Sequence, residues 1–221
     1  NQVIDHRPDI LDGVTHVFTG GEAMSARHAA RLRELRHDLR ITNCYGPTEI
    51  TTYTVSHEIA RDETWPGSNV PIGRPAPNAR CYVLDAHGEP APIGVPGELF
   101  LGGDGIAIGY LNLPELTSER FIADPFNAQP GARMYRTGDR ARWLVNGVLE
   151  FLGRLDDQVK IRGFRIEPGE IEVVLARHPD LRDVAVVVRQ DRPGELRLVG
   201  YIVAHENRAL DPQDVRAYLA E

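Results

Sequence analysis

Apolar residues along this chain mostly alternate or gather in short runs, and helical spacing breaks in at only a few places. Val14-Thr15-His16-Val17-Phe18 reads as a strand running into the turn Thr19-Gly20-Gly21-Glu22, after which Ser25 can cap a helix. That helix is expected to bury Leu32, Leu35 and Leu39 at i, i+3 and i+7 and to show its arginines outside. A second strand over residues 41–44 ends in Tyr45-Gly46-Pro47-Thr48-Glu49, where Gly and Pro break regular structure and leave polar side chains on a loop. Loops at the carboxyl ends of strands are where α/β proteins place their chemistry.

Pro66, Pro71, Pro75, Pro77, Pro90, Pro92 and Pro96 exclude helices between residues 61 and 96, leaving short strands and turns. Cys81-Tyr82-Val83-Leu84-Asp85 and Gly97-Glu98-Leu99-Phe100-Leu101 read as two of those strands. Residues 114–121 have helical spacing, Tyr135-Arg136-Thr137-Gly138-Asp139 reads as a turn, and a strand over residues 148–152 delivers Gly153 and Arg154. Beyond Asp156 the pattern changes. Pro168 suits a first helical position, and Ile171, Val174 and Leu175 make an apolar face ending near His178-Pro179. Strands over residues 184–189 and 196–204 flank the turn Asp191-Arg192-Pro193-Gly194, and Pro212 opens a last helix. The expected class is α/β with a β-rich piece, then a small α+β unit, divided at residues 155–157.

With 221 residues, 42% hydrophobic and 26% charged, the chain has room for one large or two small domains. Its 25 Lys and Arg against 32 Asp and Glu give a formal charge of −7, which argues against a broad phosphate-backbone footprint, so nucleic acid is set aside. Cys44 and Cys81 have neither metal spacing nor a disulfide framework, which suits a reducing compartment. The longest apolar runs are strand-sized and no signal peptide precedes Asn1, so no membrane partner and a cytoplasmic location are expected. Both ends read as the middle of an element, the pattern of a piece of something longer.

Four motifs occur in a telling order: Asn43-Cys44-Tyr45-Gly46-Pro47-Thr48-Glu49; Gly97-Glu98-Leu99 with Gly103-Asp104-Gly105; Tyr135-Arg136-Thr137-Gly138-Asp139; and residues 153–172. Their order and spacing resemble the core motifs of nonribosomal peptide synthetase adenylation domains, within the acyl-adenylate-forming superfamily. Pro47 and the form Gln158-Val159-Lys160-Ile161-Arg162-Gly163 resemble the peptide synthetase branch. The resemblance implies that residues 1–155 are the C-terminal portion of the large adenylation subdomain, a mixed sheet with a β-rich barrel-like piece. Residues 156–221 would then be most of the small α+β lid subdomain. It implies a two-step enzyme. An amino acid carboxylate attacks the α-phosphate of ATP to give an aminoacyl adenylate, and the phosphopantetheine thiol of a partner peptidyl carrier domain then takes the acyl group. Mg²⁺ is the implied metal.

Carried over residue by residue, the resemblance implies that Thr48 and Glu49 meet the phosphate and Mg²⁺, a hard cation suited to a carboxylate. Tyr45 would lie against adenine, with Gly46, Gly21 and Glu22 also in the nucleotide set. Asp139 would bind both ribose hydroxyls and Arg154 the ribose or phosphate. Asp156 would be the hinge of the small unit, with Lys160, Arg162 and Arg165 riding on it. Taken singly, each has a plainer reading: a solvated turn residue for Glu49, a gap-filling aromatic for Tyr45, an Asx turn for Asp139, a surface ion pair for Arg154, a linker residue for Asp156, and a solvated basic face for the last three. Order and spacing favour the ligand readings.

The resemblance also implies that the substrate pocket positions fall at Phe18, Gly20, Cys44, Thr52 and Tyr53, a neutral, partly aromatic lining that disfavours a charged side chain. Ile108, Leu113 and Arg140 depart from the family pattern around a surface loop. The resemblance also implies a phosphate loop with its lysine before Asn1 and a catalytic lysine after Glu221, so the fragment alone is expected to be inactive. An acyl-CoA or aryl acid ligase of the same superfamily and a noncatalytic split or interrupted domain that holds a partner are the alternatives. Residues 121–135 resemble the surface on which MbtH-like helper proteins dock, with Ala123 as the candidate insert.

Overall fold

The computed structural model describes residues 2–65, 67–161, 163–192, 195–206, 208 and 210–220. Pro66, Arg162 and the Pro193-Gly194 pair of the anticipated turn lie outside them. The chain divides into two compact units, Asn1–Leu155 and Asp156–Glu221.

The first unit opens with helix α1 (Gln2–His6), strand β1 (His16–Thr19), helix α2 (Ala26–Leu35) and strand β2 (Arg40–Tyr45). β1 and β2 pair in parallel, as strands joined through a crossover helix can. Strands β3 (Val55–Glu58) and β4 (Arg74–Pro75) extend the sheet antiparallel in the order β1-β2-β3-β4, giving the mixed sheet. Ser25 occupies the N-cap of α2 but makes no side-chain cap bond. The inward residues of α2 are Ala29 and Leu32; Leu35 is 47% exposed, and Leu39 is buried only after the helix has ended. The i, i+3, i+7 spacing thus overran the helix: it stops at Leu35, and the carbonyls of Leu11 and Val14 hold the Arg36 guanidinium just beyond it.

Strands β5 (Ala79–Leu84) and β6 (Gly97–Gly103), helix α3 (Pro114–Arg120) and strands β7 (Phe121–Ala123), β8 (Arg133–Trp143) and β9 (Leu149–Arg154) complete the unit. They form a five-stranded antiparallel sheet in the order β5-β6-β8-β7, with β9 also on β8. One edge of β8 faces β6, while β7 takes residues 133–135 of the other edge and β9 takes residues 139–143. Val55, Ile72, Val83, Leu99, Leu101, Ala141 and Leu149 form the core that joins this sheet to the first.

Tyr135-Arg136-Thr137-Gly138-Asp139 is therefore not a turn but the middle of an eleven-residue strand. Gly138, at φ 72°, makes a bulge: Phe100 pairs with Arg136 and Glu98 with Arg140, so two steps along β6 span four along β8. A glycine that reads as a turn in sequence here re-aims a side chain without ending the strand.

The second unit holds the antiparallel pair β10 (Val159–Ile161) and β11 (Phe164–Ile166), helix α4 (Pro168–Leu175), the hairpin β12 (Leu181–Arg192) and β13 (Glu195–Ala204), and helix α5 (Pro212–Tyr218). Its core is Leu175, Leu181, Val186 and Val215. Ile171 and Leu175 of α4 pack into it, whereas Val174 is 40% exposed and does not complete the expected apolar face. Asp191 and Arg192 continue β12 rather than turning.

Candidate functional site

Two carboxylates organise the first unit, and β8 touches both. Asp139 stands directly opposite Arg154, the last residue of β9, so the pair faces across the ladder. Arg154 Nη1 donates to Asp139 Oδ1 at 2.9 Å, and the Tyr45 hydroxyl donates to Oδ2. The Asp139 N–H donates to Thr137 Oγ1 at 2.9 Å, and that hydroxyl in turn donates to the Leu99 carbonyl at 2.6 Å. Asp139 is 7% exposed. It is thus held from behind by β6, in front by a phenol and alongside by a guanidinium. Burial, reinforced by the Asp139 charge, pushes the Tyr45 phenol well above its usual range, so it stays a neutral donor. The Tyr45 ring lies 6.2 Å from that of Phe151.

Glu49 lies in a short 3₁₀ turn, Thr48–Ile50, right after β2. It is buried, and its Oε1 accepts from the hydroxyls of Tyr110 at 2.7 Å and Tyr135 at 2.9 Å. Thr48 beside it is exposed. A carboxylate and a hydroxyl are hard oxygen donors and fit Mg²⁺, an ion that keeps several waters and leans on substrate phosphates. Among the described residues no group of three or more His, Cys, Asp and Glu could hold a metal by itself, so Glu49 fits such a shared site and not an all-protein cage.

The loop after Glu49 folds back on itself. Thr51 and Thr52 both adopt left-handed backbone, at φ 59° and 58°, a conformation that costs a β-branched residue about 1–3 kcal/mol. The Thr54 N–H returns to the Tyr45 carbonyl at 2.9 Å. This requires glycine at position 46, where a Cβ would meet the Thr52 carbonyl oxygen at 2.4 Å. The same fold brings Tyr53 over Gly20: a Cβ there would lie 3.1 Å from Tyr53 Cε1 and 2.8 Å from the Cys44 carbonyl oxygen. Gly20, Cys44 and Tyr53 therefore come together.

Phe18 is 59% exposed and packs its ring on His16, with centroids 4.1 Å apart. Thr52 is exposed, and Gly21 and Glu22 lie in the exposed turn between β1 and α2. Asp156 belongs to the second unit, where its Oδ1 accepts from the Gln158 N–H at 3.3 Å. Lys160 and Arg165 stand opposite each other in the β10–β11 register. Ala123 is exposed next to Asp124, whose buried carboxylate caps the Phe126 N–H and accepts from the Tyr82 hydroxyl. A cavity of about 300 Å³ between α2, β2 and β3, lined by Arg33, Arg36, Arg40 and Glu58 among others, shares no residue with either carboxylate cluster.

Sequence reasoning missed Tyr110, Tyr135 and Thr137 as site residues. Tyr135 and Thr137 lie inside a stretch singled out for its glycine and acid, and Tyr110 lies just past Gly103-Asp104-Gly105. The available signal was a tyrosine beside a polar motif, whose hydroxyl needs a partner once the ring is buried.

Residues 1–111 match the family model described as AMP-binding enzyme, and residues 170–221 match the AMP-binding enzyme C-terminal domain. The chain is 44% identical to tyrocidine synthase 3 of Brevibacillus parabrevis, over 100% of this chain and 3% of that protein, so it spans a small fraction of that relative's length. Two solved structures resemble it. PA1221, described as an NRPS protein containing adenylation and PCP domains, has a TM-score of 0.82 and 34% identity, covering 97% of this chain and 43% of that one. NpsA-ThdA, an artificially fused adenylation-PCP di-domain NRPS from Klebsiella oxytoca, has a TM-score of 0.82 and 31% identity, covering 99% and 40%.

Proposed function

Because the chain belongs to the AMP-binding enzyme family, we propose that it forms part of an adenylation domain that converts an amino acid and ATP to an aminoacyl adenylate and pyrophosphate. The acyl group is then passed to the phosphopantetheine thiol of a peptidyl carrier domain, a partner that the adenylation–carrier proteins among its structural relatives suggest. Membership of the family supports the AMP-forming step. The observation that carries the reading is the buried Asp139 carboxylate gripped by Arg154 and Tyr45.

Adenylyl transfer needs positioning and charge stabilisation more than covalent catalysis. Asp139 accepts the two ribose hydroxyls, a task that suits a two-oxygen carboxylate whose orientation Arg154 and Tyr45 fix. Arg154 keeps that carboxylate turned toward the sugar. Tyr45, Gly46, Gly21 and Glu22 line the remainder of the nucleotide site. Thr48 and Glu49 would hold Mg²⁺, which would supply charge neutralisation to the phosphates. Phe18, Gly20, Cys44, Thr52 and Tyr53 line one side of the amino acid pocket, where a neutral lining favours an uncharged substrate side chain. Asp156 serves as the hinge on which the second unit, carrying Lys160 and Arg165, changes state between the two half-reactions.

The test is substrate-dependent ATP–pyrophosphate exchange by the intact protein. Exchange is expected with uncharged amino acids and not with fatty or aryl acids. The reverse pattern would replace this reading with an acyl-CoA or aryl acid ligase.

A further inference from the structure

Tyr110 and Tyr135 take no part in the family reading, yet both donate a hydrogen bond to its metal carboxylate. Tyr135 is 1% exposed in the middle of β8, four residues before Asp139. A phenylalanine would fill that volume and would leave no polar atom to satisfy, so the buried hydroxyl calls for an explanation. Its partners include Glu49 Oε1 at 2.9 Å and the Tyr110 hydroxyl at 3.4 Å. Tyr110 reaches the same oxygen from the loop over residues 104–110.

That loop is fastened at several points. The Ala107 N–H donates to the Glu49 carbonyl at 2.8 Å, and Thr51 Oγ1 donates to the Gly105 carbonyl at 2.8 Å. Arg133 of β8 donates to the carbonyls of Ala107 and Ile108 at 2.8 and 2.9 Å, and the Tyr110 N–H donates to Thr117 Oγ1 at 2.9 Å. The Phe121 ring packs against both phenols, with centroids 5.4 Å from Tyr110 and 5.2 Å from Tyr135. Two hydroxyls thus arrive at one oxygen from two fixed elements, which sets the direction of the whole carboxylate.

We propose that Tyr110 and Tyr135 are positioning residues that hold the Glu49 carboxylate in the orientation from which it binds the metal. The inference rests on the reading of Glu49 as the Mg²⁺ ligand. Hydrogen-bond partners of a ligating group set its orientation and basicity, and losing one lowers metal affinity about 10–100-fold. Because Tyr135 shares β8 with Asp139, one strand then fixes both the metal carboxylate and the ribose carboxylate.

The test uses the intact protein with a non-hydrolysable α,β-methylene ATP analogue and Mn²⁺ as the probe, its binding read by electron paramagnetic resonance. Thermal melting and the amino acid KM accompany it. Tyr135→Phe and Tyr110→Phe should each raise the Mn²⁺ Kd about 10-fold. The amino acid KM should stay at the wild-type value, and Glu49→Gln should raise the Mn²⁺ Kd further. A purely structural role would lower the melting temperature and leave the Mn²⁺ Kd alone. An unchanged Kd in both tyrosine variants, with a raised one in Glu49→Gln, overturns the positioning role and leaves Glu49 as the ligand. An unchanged Kd in Glu49→Gln overturns both. If Tyr135→Phe fails to fold, Tyr110→Phe decides alone, since its ring is only half-buried and its hydroxyl is the sole group removed.

Discussion

Replacing Asp139 with asparagine in the intact protein is expected to lower kcat/KM for ATP by at least about 100-fold. A hydrogen bond to a charged acceptor contributes about 1.5–3 kcal/mol and one to a neutral acceptor about 0.5–1.5; asparagine turns one oxygen into a donor and leaves the other a weaker acceptor, so about 3–4 kcal/mol is lost. At about 1.4 kcal/mol per tenfold, the lower figure already gives the stated effect. The structure adds a second consequence. Asp139 lies mid-strand opposite Arg154, whose side chain is only 16% exposed, so the substitution also removes a counter-charge from beside a largely buried cation. The sequence reads this stretch as a turn, whereas its place inside β8 predicts a stability loss of about 1–3 kcal/mol on substitution. ATP kinetics measured well below the variant's melting temperature separate the two effects. An unchanged ATP KM and kcat would count against the assignment.

Gly46→Ala should be nearly as damaging, by a different route. A Cβ at this position would meet the Thr52 carbonyl oxygen at 2.4 Å and the Thr54 nitrogen at 2.8 Å. Both are backbone atoms, so no rotamer change relieves the contact. Relief requires displacing the loop that carries Thr48, Glu49 and Tyr53, and a shift of about 1 Å in reacting groups costs roughly 100-fold in rate. The expected outcome is a drop in pyrophosphate exchange of that size, with a loss of about 2–4 kcal/mol in thermal or denaturant unfolding. Near-wild-type exchange would mean that the loop tolerates the extra methyl, and the packing described for Gly46 would be wrong.

Much of this was legible in the residues themselves. The strand–turn–helix over β1 and α2, the loop at the end of β2, and the helix–hairpin–helix grammar of the second unit follow from local patterning, which depends on near neighbours. What escaped depends on partners distant in sequence. Gly138 looks like a turn because its left-handed φ is a local property, whereas the pairing of β8 with β6, β7 and β9 that carries the strand through it is not. Leu35 looked buried because helical spacing does not say where Arg36 will be captured by Leu11 and Val14. Tyr110 and Tyr135 lie 61 and 86 residues from the carboxylate they hold, so no local rule could have joined them to Glu49.

In the proposed function Asp139, presented by the bulge in β8 between Arg154 and Tyr45, is the ribose acceptor of an AMP-forming site. A crystal structure of the intact protein with AMP tests it most directly. If Asp139 has this role, both ribose hydroxyl oxygens will lie within about 2.5–3.0 Å of its carboxylate. A nucleotide bound elsewhere, with Asp139 still enclosed by Tyr45 and Arg154 and out of reach of the sugar, would contradict it.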